Sequence, residues 1–525
     1  MLRSLATSAV ALIAAAAPAL SEVTPTQAWE NLNRYYQDFG YQVTTGGKDE
    51  AGDTLTVTDT VLTMQGEAGT TSVTIPQMTF QQTGDAKVRA VFTEDVTFES
   101  NFTLPAPEGE GEGEDGGEAV EMSMTGLFSA PGNEMLISGS EEDMLYEYSY
   151  PTASFEITIP ATADSPEVPI TGTLTDLRGT QRNVRGSDGA ESTFDATASE
   201  LTVHLHAESP EDASAGPGML SLQMEMTDLA TKGVAAVPAQ TFDMSTQMAQ
   251  ALAAGFKVDG TLSFGGLTGS FDFSGLDAET GAPKEASGSF GTGASEYGFA
   301  MSVDGMRYDG KSVDQTFEIT VSDLPFPISY AVKESSGGIL MPLNGKDEPQ
   351  PFRLAYALSG LTLSDGIWGL LDPTGQLPRD PADLTIDVEG ETLLTRDLTD
   401  PALNQPQTDA EGMPAGPDLP FQPQNLKINR IALNAAGASA EISGALDFGD
   451  HPDQPVGRIE GSFQGVNGLL DKLVAMGLLP QEQMMGARMM LAMFARPVEG
   501  EADKLATELE FREGGQIFAN GQQVK

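Results

Sequence analysis

The sequence predicts a mainly β protein of the α+β class, with long curved antiparallel sheets, a few covering helices and a groove-like or half-barrel-like shape. Three observations predict this class: apolar and polar residues alternate with a period of two, short turns separate the alternating segments, and helical segments are few. Because successive side chains of a strand point to opposite faces, the alternation indicates strands with one apolar and one polar face.

The alternation recurs along the whole chain. Apolar residues occupy every second position at Leu55 and Val57, at Phe155, Ile157 and Ile159, at Leu201, Val203 and Leu205, at Phe317, Ile319 and Val321, and at Leu384, Ile386 and Val388. Parallel strands buried on both faces would show continuous apolar runs instead. Short turns at 435–437 and 513–515 join neighbouring segments. The sheet is therefore expected to be mainly antiparallel.

An amphipathic helix is predicted at the start of this β-rich region. Thr24 can cap it, Pro25 suits its first position, and Gly40 suits its end. Trp29 and Tyr36 lie on one face of this helix, which should dock on the following strands. The alternative is that these two aromatic residues contact a ligand.

Two shorter helices are predicted in the middle of the chain. Asp243 is expected to cap the first, which Gly255 closes. Ser364 is expected to cap the second, which carries Trp368 and ends at Asp372 before a proline. Trp368 is a third candidate for contact with a ligand.

A helical pair at 467–495 is predicted near the C-terminus, with helices over 469–476 and 481–495. Its methionines are Met484, Met485, Met489, Met490 and Met493. Methionine fills irregular gaps in cores and also adapts to varied ligands. Core packing is the preferred interpretation, and Met485, Met489 and Met493 are the candidate ligand contacts of the alternative.

Residues 1–19 resemble an export signal. Arg3 precedes an apolar stretch over 5–16, and 17–19 is a small-x-small cleavage site. The stretch is shorter than the ~20 residues of a spanning helix, so no integral membrane span is expected. The remaining chain is divided into β-rich halves at 20–240 and 241–525. Exposed, low-complexity breaks are expected at 105–119, 208–218, 275–288 and 396–424.

Composition excludes several functions. The chain has 77 acidic and 27 basic residues and a formal net charge of −50. This charge disfavours nucleic acid and general adsorption to anionic membranes. The acidic charge is expected to keep the chain soluble, and the alternative is that it binds a cationic partner or divalent cations. Cysteine is absent, so an exported chain must be stabilised by its core.

No catalytic, cofactor-binding or metal-binding residue is predicted. Cysteine nucleophiles are impossible, and the chain has three histidines. His204 and His206 lie on the polar side of a strand, where zinc binding is the alternative to simple solvation. Carboxylates are so numerous in the sequence that no single pair stands out as suited to acid–base catalysis.

A short three-residue motif recurs in several of the predicted strands. It reads Thr175-Asp176-Leu177, and it recurs at 227–229, 322–324 and 359–361. These segments are expected to end strands. Their unequal spacing indicates a reused strand unit rather than a strict repeat.

Two motifs carry a family resemblance. The first is LSDGIWGLLDP at 363–373, continuing to 381, and the second runs from 468 through AMGLLP at 475–480 to 517. Together they resemble the exported Gram-negative family called domain of unknown function 2125, over most of the chain after the signal. That family implies the compartment and architecture but no activity. A looser likeness to AsmA-like envelope proteins rests on the long strands alone.

The predicted function is that of a non-catalytic protein of the Gram-negative periplasm. An apolar concave sheet face must be closed by the protein or by a ligand, such as a lipid or other amphiphile. The alternative is a structural or protein-interaction module of the envelope. An enzyme, such as a hydrolase, is less favoured than either.

Overall fold

The antiparallel strands of the computed structural model form one large sheet, which confirms the predicted fold class. The structure describes residues 23–66, 69–104, 120–161, 166–209, 217–244, 246–277, 280–400, 403, 420–449 and 452–525. The predicted signal at 1–19, the segment 105–119 and parts of the other three predicted breaks lie outside these residues.

Five helices and twenty-seven strands are described. The helices are α1 Pro25–Asp38, α2 Met248–Ala253, α3 Asp365–Leu371, α4 Val466–Ala475 and α5 Gln481–Phe494. The strands of the first part are β1 Gln42–Thr44, β2 Gly47–Ala51, β3 Thr54–Gly66, β4 Gly69–Gln82, β5 Val88–Phe92, β6 Val96–Leu104, β7 Val120–Ser129, β8 Glu134–Gly139, β9 Asp143–Ile159, β10 Val168–Arg185, β11 Gly189–Glu208 and β12 Met219–Pro238. The later strands are β13 Lys257–Phe264, β14 Gly266–Leu276, β15 Pro283–Thr292, β16 Ser295–Ser302, β17 Gly305–Val321, β18 Ile328–Met341, β19 Gln350–Leu363, β20 Ala382–Leu394, β21 Phe421–Ala435, β22 Ala438–Asp447, β23 Val456–Gln464, β24 Arg496–Pro497, β25 Lys504–Arg512, β26 Gln516–Ala519 and β27 Gln522–Gln523.

Long strands pair in sequence order over much of the sheet, as β9 to β12 and β17 to β23 show. Elsewhere two short strands together span one long neighbour. β12, for example, pairs through 230–236 with β13 and through 219–227 with β14. Pairing is thus continuous across the boundary proposed near residue 240, and the division into two halves stays a prediction.

A crease crosses the sheet inside its long strands. It is formed by five residues with left-handed backbone: Asp59, Asp176, Asp228, Asp314 and Gly360, with φ of 50°, 52°, 53°, 51° and 69°. Ladder pairing resumes on both sides of each residue. Such residues bend a strand and displace its alternation by one position, as a β-bulge does.

The prediction that the recurring three-residue motifs end strands is wrong for most of them, because the crease lies inside the strands. Asp176, Asp228 and Gly360 lie within β10, β12 and β19, and only 322–324 follows a strand end. Aspartate and glycine tolerate the left-handed conformation, so these turn-like residues bend a strand that then continues.

One row of directly opposed residues crosses the sheet from β5 to β26. We call it the long row: Val88, Ile137, Tyr146, Gln181, Phe194, Gly233, Gly260, Phe299, Tyr308, Ile339, Leu354, Val388, Ile428, Gly444, Ile459, Leu509 and Ala519. Directly opposed residues share a face of the sheet, so the long row is a continuous apolar band with one amide side chain, that of Gln181.

A second row runs across the other side of the crease. It comprises Val96, Phe128, Phe155, Gly172, Val203, Met224, Gly269, Phe290, Phe317, Tyr330 and Leu363. Phe92 lies four positions after Val88 of the long row, in the same strand, and therefore on the same face. The centroid of its ring lies 6.0 Å from that of Phe128 in the second row. Both rows therefore lie on one apolar face of the creased sheet.

Helix α1 covers the N-terminal end of this face. Thr24 caps it through a reciprocal bond with Gln27, as predicted. Trp29 packs with its ring centroid 5.9 Å from that of Phe80, in a cluster with Val88 and Ile137. The long row therefore begins inside the protein core.

The other predicted helices are present, with one corrected boundary. Ser364 caps α3, and its hydroxyl accepts a hydrogen bond from the Ile367 amide. Helix α2 begins after Gln247 rather than Asp243, because the Asp243 carbonyl accepts hydrogen bonds from the Thr246 and Gln247 amides in a turn that precedes the helix. The C-terminal pair is observed as α4 and α5.

Candidate functional site: an apolar cleft beneath the C-terminal helices

Helices α4 and α5 lie over the C-terminal end of the apolar face and enclose a cleft of about 490 Å³. The sheet contributes Ile442, Ile459, Gly461, Phe463, Thr507 and Leu509, and the helices contribute Val466, Leu470, Ala487, Met490, Leu491 and Phe494. Pockets that bind small molecules usually have volumes of about 300–1,000 Å³. The cleft can therefore bury apolar ligand surface.

The start of α4 is positioned by an aspartate from the sheet side. Gly465 turns the chain with φ 73°, and the Asp503 carboxylate accepts hydrogen bonds from the Asn467 and Gly468 amides at 3.2 and 2.9 Å. Burial raises the pKa of Asp503, but these amides and the Asn467 side chain outweigh it, and the net pKa is lowered. The ionised carboxylate thus holds the helix that roofs the cleft.

The two helices are also joined to each other and to the sheet. Arg488 of α5 donates to Asp471 of α4 at 2.8 Å. The Thr507 hydroxyl, which faces the cleft, donates to the carbonyl of Phe494. This bond occupies the hydroxyl of one of the few polar residues in the lining, so the cleft offers mainly apolar contact.

The long row connects the cleft to an open part of the same face. Ile459 and Leu509 belong both to the row and to the cleft. Phe299, Tyr308, Ile339 and Leu354 are earlier members, and they keep 39%, 45%, 42% and 47% of their surface exposed. We call these four the open reach. The apolar face is thus covered by helices at both ends and exposed between them.

The opposite face of the same strands is polar. Arg353, next to Leu354, pairs with Asp387 at 3.2 Å, and Lys427 pairs with Glu389 at 2.9 Å. The Arg353 guanidinium lowers the pKa of Asp387. The apolar character therefore belongs to one face and not to the strands as a whole.

The methionines predicted in α5 are divided between two environments. Met484 is buried, and Met490 borders the cleft but keeps 64% of its surface exposed. Met485, Met489 and Met493 lie on the outer side of the helix, where 57%, 68% and 55% of their surface is exposed. The preferred expectation of core packing is wrong for these three residues and for Met490, and it is confirmed for Met484 alone, because α5 has apolar residues on both sides.

The two aromatic candidates of α1 lie at the other end of the sheet. Trp29 keeps 1% of its surface exposed, so it is enclosed by protein. Tyr36 is partly buried beside Tyr35 and Tyr41, and burial together with neighbouring tyrosines raises its pKa to about 12. The structure does not bring these residues to the cleft.

Trp368 is half-buried in α3 and is not among the cleft residues. Arg379 lies 5.7 Å from its ring and pairs with Asp365 at 2.8 Å. Asp372 then accepts a hydrogen bond from the Leu377 amide at 2.6 Å. These contacts explain the first family motif as a helix followed by a hydrogen-bonded turn.

The histidines on the polar face bring no metal site together. His206 lies 3.1 Å from Glu208, and His204 is opposed by Thr171 and Gln223. Across the part of the chain that the structure describes, no three histidine, aspartate or glutamate residues are grouped to hold a metal ion.

Comparison with known families identifies the C-terminal part of the chain. Residues 299–519 match the family described as uncharacterized protein conserved in bacteria (DUF2125). This DUF2125 match includes both motifs and confirms the resemblance. It also spans the open reach, α3 and the cleft. An extension of the resemblance toward the N-terminus stays a prediction, as does the likeness to AsmA-like proteins. No curated protein matches the chain.

The sequence interpretation missed the residues that line the cleft. Leu470, Met490 and Phe494 are the principal examples from the helices. The four-residue spacing of Met490 and Phe494 marks one face of a helix, but the outer methionines repeat with the same spacing. None of the described helices is long and apolar enough to cross a membrane.

Proposed function

We propose that this chain is a non-catalytic periplasmic protein that binds a lipid or another amphiphile along the apolar face of its sheet. The observation that carries the proposal is the continuity of the long row, which passes from the core under α1 through the open reach to the cleft. Exposed contiguous apolar surface in a protein that remains in water marks a binding site.

The dimensions of the surface support an acyl chain as the ligand. From Phe299 in β16 to Ile459 in β23 the row crosses successive strands separated by about 4.8 Å, a path of about 34 Å. The hydrocarbon core of a bilayer, two acyl chains thick, measures about 30 Å. The surface is thus long enough for at least one extended chain.

The N-terminal residues support the periplasmic compartment. Residues 1–19 have the organisation of an export signal, with Arg3 before an apolar stretch over 5–16 and a small-x-small cleavage site at 17–19. A binding role rather than an enzymatic role is supported by the lining of the cleft, in which apolar side chains predominate.

The test is native mass spectrometry of the full chain, purified without detergent from osmotic-shock fluid and analysed before and after lipid extraction. We expect a co-purified amphiphile and rebinding of palmitate or phospholipid. Leu354→Asp places a charge in the open reach and should lower rebinding at least tenfold. Thr362→Asp, on the polar face of the same strand, is the matched control. Circular dichroism confirms that both variants fold.

Two results would overturn the proposal: no amphiphile on the protein at any stage, or equal rebinding by the Leu354→Asp and Thr362→Asp variants. Cross-linking in intact cells examines the alternative, a structural module of the envelope. In that case an envelope protein, rather than an amphiphile, would be captured on the apolar face.

A further inference from the structure

Helix α5 exposes an apolar stripe to solvent on the side away from the sheet. Met485, Met489 and Met493 follow one another at four-residue intervals, and each exposes more than half of its surface. Leu478, in the turn between α4 and α5, is 59% exposed. We call these four residues the methionine stripe.

The stripe makes α5 apolar on two opposite sides. Met490 and Phe494 border the cleft while keeping 64% and 38% of their surface exposed, whereas the residues of the methionine stripe are exposed and do not line the cleft. A helix on the surface of a globular protein normally has one apolar side and one polar side. The second apolar side therefore indicates a second contact, which the described part of the chain does not itself provide.

Local charge favours a lipid surface as this contact. Within 466–497 the acidic residues are Asp471 and Glu482, and the basic residues are Lys472, Arg488 and Arg496, which gives 3 − 2 = +1. The whole chain has a formal net charge of −50. Anionic membranes repel the chain in general, but the helical hairpin formed by α4 and α5 has no net negative charge and can approach a bilayer without that local repulsion.

We propose that the methionine stripe docks the hairpin onto the surface of a phospholipid bilayer. The inference rests on the proposed function, because docking would place the cleft beside the membrane from which an amphiphile enters. Flexible methionine side chains adapt to disordered acyl chains. An apolar helix face lying in the interface binds in proportion to the apolar area that it buries.

The absence of cysteine from the chain permits a site-specific test. Met489→Cys in the full chain is labelled with an environment-sensitive fluorophore and mixed with phosphatidylcholine vesicles. Leu370→Cys, at a 58% exposed position of α3, is the matched control. We expect a blue shift and quenching by brominated lipid for the Met489 label, and at least fivefold smaller changes for the Leu370 label.

Sedimentation with vesicles provides the second readout. The double variant Met485→Asp/Met489→Asp should reduce the bound fraction at least fivefold, and Leu370→Asp should leave it unchanged. Equal binding of the variants would overturn the proposal. So would the absence of binding by the unmodified chain, or burial of the stripe in a dimer or protein complex detected by light scattering.

The outcome is distinguishable from failure of the proposed function. Rebinding of palmitate below its micelle concentration requires no vesicle. A protein that binds palmitate but not vesicles would retain its amphiphile site and lose the docking surface. A protein that binds vesicles through the stripe but does not bind palmitate would have the docking surface and lack the amphiphile site.

Discussion

The ring of Phe98 lies over the backbone of Gly126, its directly opposed partner on the next strand, and a Cβ at Gly126 would overlap that ring. Phe155 covers Gly172 in the same way, and Phe290 covers Gly269. These glycines make room for rings that lie along the sheet, which is the known pairing of aromatic residues with strand glycines. They keep the apolar face continuous.

Gly126→Ala should therefore destabilise the protein by about 1–3 kcal/mol, the usual cost of overpacking. Urea unfolding monitored by circular dichroism measures the change. Gly84→Ala is the control, since nothing lies within 4 Å of a Cβ at that position. Equal stabilities of the two variants would show that the Phe98 ring moves freely.

The crease predicts a second pattern of stability. Asp228 has φ 53°, a conformation that β-branched residues rarely adopt. Asp228→Val should cost about 2 kcal/mol, whereas Asp228→Gly should change stability by less than about 0.5 kcal/mol. Asp272→Val, at an exposed position in β14, is the control. Thermal unfolding distinguishes them, and an unchanged Asp228→Val variant would argue against a bent strand at this residue.

The core under α1 depends on the volume of Trp29 rather than on its polar atom. The indole Nε1 is buried without a hydrogen-bond partner among the described residues. Trp29→Phe should cost about 1 kcal/mol, and Trp29→Ala about 3–5 kcal/mol through the cavity that it leaves. Denaturant midpoints measure both. A larger loss for phenylalanine than for alanine is incompatible with this packing.

Alkaline pH should destabilise the end of the sheet beneath α1. Burial and neighbouring tyrosines raise the pKa of Tyr36 and Tyr150 to about 12 each, from an ordinary value of about 10. The contribution is complete below pH 10 and is lost as pH rises toward 12, because only the unfolded chain releases these protons there.

The expected loss is on the order of 1 kcal/mol per tyrosine over one pH unit. Urea midpoints measured between pH 9 and 11 should fall less steeply in the Tyr36→Phe/Tyr150→Phe variant than in the unmodified chain. Parallel slopes would mean that these hydroxyls are solvated.

Local patterns sufficed to predict α1, α3 and the alternating strands. Thr24 with Gln27, and Ser364 before its helix, are capping signals contained within four residues. The crease could not be predicted, because Asp176 and Asp228 are equally compatible with a strand end. Only the partner strands, which pair on both sides of these residues, show that the strands continue.

The cleft could not be predicted from the sequence for a related reason. Residues 481–494 are apolar on two sides, so periodicity could not indicate that Met490 borders the cleft and Met489 does not. The continuity of the long row depends on register across many strands. A shift of one residue in any pair would move the apolar side chains to the other face.

The most direct test of the continuous apolar face is photo-cross-linking with a diazirine-bearing fatty acid, followed by peptide mapping. We predict labels on Tyr308, Ile339 and Leu354, and none on their neighbours Arg307 and Arg353, which lie on the polar face. Alternating labels would establish one ligand-binding face. Equal labelling of neighbouring residues, or no label between β16 and β23, would contradict it.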